Sequence, residues 1–166
     1  MPIPFVAWLF QGIPECIAVA AVVFSLGTER LHWRTVTLVG IFQALIIYLI
    51  RLLPLSTYIH VIVAVVTLAC LCAKYGKFDI ELSCIYSLIA LLAVLFFEFG
   101  FMYLADYFQI ITYDQFLFDV GLRILVGLPQ VVALFLLALF ISHSKYKGRI
   151  KFLDINRSNK EYLRGV

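Results

Sequence analysis

Charge is what this sequence has least of. Only 14% of its 166 residues are Asp, Glu, Lys or Arg, against 64% apolar residues, and the mean hydropathy is +1.03. A soluble domain averages about 25% charged and about 45–50% apolar residues, and at this length it leaves roughly a third of its unfolded-chain surface in water. The polar residues here are too few to cover such a surface. That argues against a soluble enzyme, a nucleic-acid-binding domain and a disordered tail alike. The alternating period of an outer-membrane barrel is also missing. What remains is an integral membrane protein made of helices.

Other absences narrow the reading further. Residues 1–14 contain no basic residue, so the charged leading region of a secretory signal peptide is lacking, and the first apolar run continues too far for one. It reads as a retained helix. The cysteines, Cys16, Cys70, Cys72 and Cys84, show no spacing of a disulfide framework. Cys70 and Cys72 point about 200° apart on a helix and cannot share a metal ion; the four read as small apolar fillers in helix packing. A membrane cysteine peptidase would need a Cys and a His at one depth. His60 and Cys84 lie near opposite membrane faces, and His32 and Cys84, which share a face, carry no motif. The expectation is a protein that is not an enzyme and has no cofactor.

A spanning helix needs about 20 mostly apolar residues, and five runs qualify: about Phe5 to Leu26, Thr35 to Leu53, Tyr58 to Ala73, Ile80 to Leu104 and Phe116 to Ser142. Eleven of the 13 basic residues then fall on one side: Arg30 and Arg34, Lys74 and Lys77, and seven in the tail after the fifth run. The segment from Ala105 to Gln115 carries Asp106 and Asp114 and no basic residue. The positive-inside rule therefore predicts an all-α, five-helix polytopic bundle with its amino terminus outside and its carboxyl terminus cytoplasmic. Trp33 at the inner edge, and Tyr103, Tyr107, Tyr113 and Phe116 at the outer one, fit interfacial belts. The organisation is a transmembrane domain over 1–142 and a basic tail over 143–166, held near anionic lipid.

The ionisable residues within the runs are the functional candidates, because a charge near the bilayer centre costs about 2.5–3.5 kcal/mol. They are Glu15, Arg51, Glu98, Asp119 and Arg123. Helical spacing puts Asp119, Arg123, Gly127 and Gln130 on one face, Gly40, Gln43, Ile47 and Arg51 on another, and Gln11, Glu15 and Ala18 on a third. Each stripe joins polar groups to a small residue that lets helices approach. The predicted site is an outward-facing polar pocket of Arg123, Asp119, Arg51, Glu98, Glu15, Gln11 and Gln130. Its competitor is purely structural, with Arg–carboxylate pairs locking the bundle. Gly12–Pro14 and Gly127–Pro129 predict kinks, since proline removes a backbone hydrogen bond.

The segment Pro-Phe-Val-Ala-Trp-Leu-Phe-Gln-Gly-Ile-Pro-Glu (4–15) and the segment Arg-Ile-Leu-Val-Gly-Leu-Pro-Gln (123–130) resemble the membrane-sensor segments of Gram-positive bacterial histidine kinases, in particular the peptide-pheromone receptors of accessory-gene-regulator type. The resemblance covers roughly 1–145. It implies a sensor-like unit of a bacterial cell membrane that meets a peptide or small-molecule ligand from outside and acts through a partner membrane protein or kinase. No dimerisation helix, phosphoacceptor His or ATP-binding domain follows the fifth run in this sequence, so the resemblance implies a stand-alone sensor unit or a partner of a separate kinase. Two alternatives stay open. One is a non-catalytic accessory or scaffold subunit of a membrane complex. The other is a substrate-binding subunit similar to those of energy-coupling-factor vitamin transporters, which usually have six spans; the alanines Ala18, Ala20 and Ala21 permit such coupling. The partners expected are the lipid bilayer, an outside ligand and a membrane protein or kinase, with no nucleic acid.

Overall fold

The computed structural model describes residues 8–28, 31–53, 57–108, 121 and 127–145. An apolar backbone in lipid can satisfy its N–H and C=O groups only within its own segment, and each run accordingly forms a helix. Helix α1 (Trp8–Gly27) opens with a π-helical turn over Trp8–Gly12 and continues as α-helix over Ile13–Gly27. It is followed by α2 (Trp33–Arg51), α3 (Thr57–Gly76), α4 (Ile80–Tyr107) and α5 (Gly127–Lys145). All five are long and apolar enough to cross a membrane, as a multi-pass helical membrane protein requires.

Four helices begin and end close to the predicted limits. The fifth is described over Gly127–Lys145, with Pro129 inside the helix. The stretch from Phe116 to Val126, Gly121 apart, lies outside the described residues. The helix also continues through Lys145, into the segment read as tail. The interruption near Gly12 is real. Pro14 has no N–H for the Phe10 carbonyl, and the chain meets it with the wide π-helical turn, a common form of helix interruption.

Helix α1 is the centre of the bundle. Ala18 and every residue from Ala20 to Ser25 are buried, and six consecutive residues cover the whole circumference of a helix with 3.6 residues per turn. A helix apolar all round is one that neighbours surround. Helix α2 packs antiparallel to it at Gly40, where a Cβ would come 2.6 Å from the Ile17 Cα. Towards the far end of the same pair, the Trp8 indole N–H donates to the Ala44 carbonyl at 3.0 Å and its ring lies 4.7 Å from that of Tyr48. Helix α4 buries Ser83, Ser87, Ala90 and Val94, an i, i+4, i+7, i+11 stripe, and α3 packs against both α2 and α4.

Helix α5 runs parallel to α1. At one end Gly127 meets the Gln11 side chain, which would collide with any Cβ there. At the other, the Lys145 ammonium donates to the Leu26 carbonyl. That second end carries Arg34, Lys74, Lys77 and Lys145 and is called the basic end below. Here the short link between α3 and α4 inserts the Phe78 ring against Gly27 and Gly76, 5.6 Å from the Phe24 ring and 6.4 Å, edge-on, from that of Tyr86.

Candidate functional site

Helical rise sets the depth of each polar group. At about 1.5 Å per residue, Glu15, Gln11, Gln130, Arg51 and Glu98 stand roughly 18–27 Å from the basic end of their helices. All lie in the far half of the bundle, Arg51 and Glu98 toward its end as the sequence predicts and Glu15 nearer the middle, yet they differ in surroundings. Gln130 is buried, Glu15 and Gln11 are half-buried, and Arg51 and Glu98 are exposed. Asp119 and Arg123, the centre of the predicted pocket, lie outside the described residues.

Local structure explains each placement. Gln11 belongs to the π-helical turn, and its amide packs on Gly127, the position where α5 has no side chain to obstruct it. Gln130, nearly one turn further along α5, is buried. Glu15 follows Pro14 in the first α-helical turn, where a carboxylate favours the positive end of the helix dipole. Arg51 closes α2, and Glu15 and Arg51 both lie within Coulombic range of the Cys16 thiol. Glu98 comes one turn after Val94 and so continues the inward stripe of α4. It is exposed because the buried positions of α4 stop at Val94, beyond which Phe96, Phe99, Tyr103 and Tyr107 are also open. Glu98 thus sits at the exposed part of α4.

The cysteines divide as helical spacing requires, with Cys72 buried and Cys70 exposed; Cys84 is exposed and Cys16 half-buried. The packing role read for all four fits Cys72 fully, Cys16 in part, and neither Cys70 nor Cys84. Among the described residues no group of three His, Cys, Asp or Glu is placed to hold a metal ion.

Two polar features escaped the sequence reading. Gln43, recognised only as part of a stripe, is a cross-link between helices: its Nε2 donates to the Ala64 carbonyl at 2.8 Å, and its Oε1 lies 3.1 Å from the Thr67 hydroxyl. Thr67 also lies 2.7 Å from the Val63 carbonyl and 3.1 Å from the Ala64 carbonyl, so one proton is shared among three acceptors. The signal was a lone Thr in an apolar run, at the same depth as Gln43. The second feature is the buried pair Ser83 and Ser87 on α4.

The far end therefore carries two amides, two carboxylates and a guanidinium at graded exposure, from the buried Gln130 to the exposed Glu98. Such a set can bind a polar ligand through hydrogen bonds and ion pairs. No protein-family model, curated protein or solved structure matches the chain.

Proposed function

We propose that the protein is a non-catalytic, sensor-like unit of the cell membrane. Its far end faces outward and binds a ligand, and its basic end faces the cytoplasm and passes occupancy to a partner membrane protein or kinase. The basic-residue asymmetry supports this orientation. The observation that carries the reading is the parallel α1–α5 pair, linked at the far end by Gln11 on Gly127 and at the basic end by Lys145 on the Leu26 carbonyl. A ligand that displaces Gln11 or Gln130 shifts α5 against α1 where these polar residues sit. That shift is delivered where α5 leads into the basic tail. Arg123, four positions before Gly127 in the sequence, carries guanidinium donors suited to a carboxylate such as a peptide terminus, and Asp119, Arg51 and Glu98 are further charges assigned to this ligand site.

The coupling is tested with Leu26→Cys and Lys145→Cys in a background free of native cysteines, following disulfide formation in membranes. Gly127→Leu at the far end should change the cross-linking rate at the basic end; an unchanged rate in a folded variant overturns the coupling. Binding is tested by thermal stabilisation with a panel of short free-carboxylate peptides. Arg123→Gln should remain folded and lose any stabilisation the parent shows. A large loss of stability in Arg123→Gln instead assigns that arginine to neutralising buried carboxylates. A scaffold reading is favoured by one observation, the exposed rings of Phe96, Phe99, Tyr103 and Tyr107 along α4. Alanine substitution of these four should then release a co-purifying membrane subunit while leaving the fold intact.

A further inference from the structure

We propose that Ser83 and Ser87 line a water-binding site in the basic half of the bundle, closed toward the basic end by the Phe78 ring. The site is separate from the far-end polar residues and does not depend on them. Ser83 and Ser87 have relative exposures of 0% and 1%, and neither hydroxyl has a hydrogen-bond partner. Hydroxyls in helices normally solve this locally by bonding a carbonyl three or four residues back. Elsewhere in this bundle they do so: Ser25 bonds the Val22 carbonyl at 2.7 Å, Thr28 that of Phe24 at 2.7 Å, and Thr67 that of Val63 at 2.7 Å.

The two α4 serines forgo that solution, one turn apart on the face that carries Ala90 and Val94 into the core. Both serines thus lie on the inward face of α4, which packs against α1, and α1 carries the buried Ser25 hydroxyl near the same end. Ser25 uses its proton on Val22, which leaves its lone pairs free to accept. Ser25 and Ser83 lie at similar depth, about 3–5 Å from the basic ends of their helices. A buried polar site of this kind is where globular proteins keep ordered water, each molecule needing two to four polar partners. Water is the occupant that suits two buried, neutral, unpartnered hydroxyls.

Phe78 supplies the cover. Its ring lies against Gly27 of α1 and Gly76 of α3, both of which lack the Cβ that would displace it, and reaches Tyr86 on α4. Ser83 follows five positions later in the chain, in the first turn of the helix that Phe78 precedes. Opening at the basic end therefore goes through this ring.

The test uses single cysteines at position 83 or 87 in a background lacking Cys16, Cys70, Cys72 and Cys84. A small charged methanethiosulfonate reagent is applied in water to the full-length protein in nanodiscs. Ser87→Cys should react slowly with Phe78 present and about tenfold faster with Phe78→Ala, reflecting a local opening equilibrium. Phe78→Leu, which keeps apolar bulk, gives an intermediate rate and controls for misfolding. In parallel, Ser83→Ala/Ser87→Ala should lower the melting temperature, because the water's partners are lost. A higher melting temperature would show that the hydroxyls are merely unpaired and overturns the site. Equal thiol reactivity with and without the Phe78 ring, in folded protein, overturns the cover.

Discussion

Replacing Gly40 by Ala tests the central packing of the bundle most directly. The added Cβ would lie 2.6 Å from the Ile17 Cα and 2.9 Å from its amide nitrogen, whereas carbon atoms in ordinary contact sit about 3.5–4.0 Å apart. The obstruction is helix backbone, so no rotamer change relieves it, and α1 and α2 must separate by about 1 Å at their crossing. Overpacking of this kind costs about 1–3 kcal/mol. Against it stands the helix propensity of Ala over Gly, about 1 kcal/mol. Gly100 on α4 isolates that second effect, because nothing lies within 4 Å of its Cβ position. Gly100→Ala should therefore gain slightly while Gly40→Ala loses, leaving the pair about 2 kcal/mol apart. For a domain of 150–250 residues that corresponds to about 4–8 °C in melting temperature. The measurement is thermal unfolding of both variants in the same detergent, followed by loss of the monodisperse peak. If Gly40→Ala melts with or above Gly100→Ala, the close approach of α1 and α2 is not what holds the centre together.

Four further outcomes follow from other parts of the chain. A double-mutant cycle of Gln43→Leu and Thr67→Val should give a coupling of about 0.6 kcal/mol and no more than about 1.7, the range of hydrogen bonds between membrane helices; zero coupling would remove the α2–α3 cross-link. Lys77 has φ 56°, in the left-handed region that favours glycine, so Lys77→Gly should raise stability by up to about 1 kcal/mol in denaturant titration. Gly76→Ala should lower it, because its Cβ would meet the Phe78 ring at 2.6 Å. For the orientation, a cysteine placed at Asp114 should be labelled by an impermeant reagent outside intact cells and one at Lys147 should not; the reverse pattern inverts the topology.

The helices were legible because lipid leaves a spanning backbone one way to bond itself, so run length alone locates α1 to α4 within a few residues. The stripes were legible for the same geometric reason: Gly40, Gln43, Gly127 and Gln130 are all buried. Of the fifth run only Gly127–Lys145 is described, and there too hydropathy locates a helix. Gly76-Lys77 shows a limit. Sequence rules assign the glycine to the left-handed position after a helix, but here Lys77 takes it and Gly76 makes room for a ring from the next loop. Within the candidate site, depth could be read from the sequence and exposure could not, because the height at which α4 ceases to be covered depends on its neighbours. Ser83 and Ser87 gave no signal, since serine in an apolar run usually satisfies itself.

The parallel pairing of α1 and α5 also bears on how the protein is made. Helix α1 leaves the ribosome before all four helices that enclose it, and Leu26 is separated from Lys145 by 119 positions. At about 5–20 residues per second, α1 resides in or beside the insertion machinery for roughly 6–24 s before α5 can cover Gln11 and cap Leu26. Over that interval the half-buried Glu15 and the π-helical turn lack one wall of their final surroundings. Assembly thus depends on retaining an incomplete bundle, and slower elongation between α4 and α5 prolongs the period in which α1 can pair with the wrong helix.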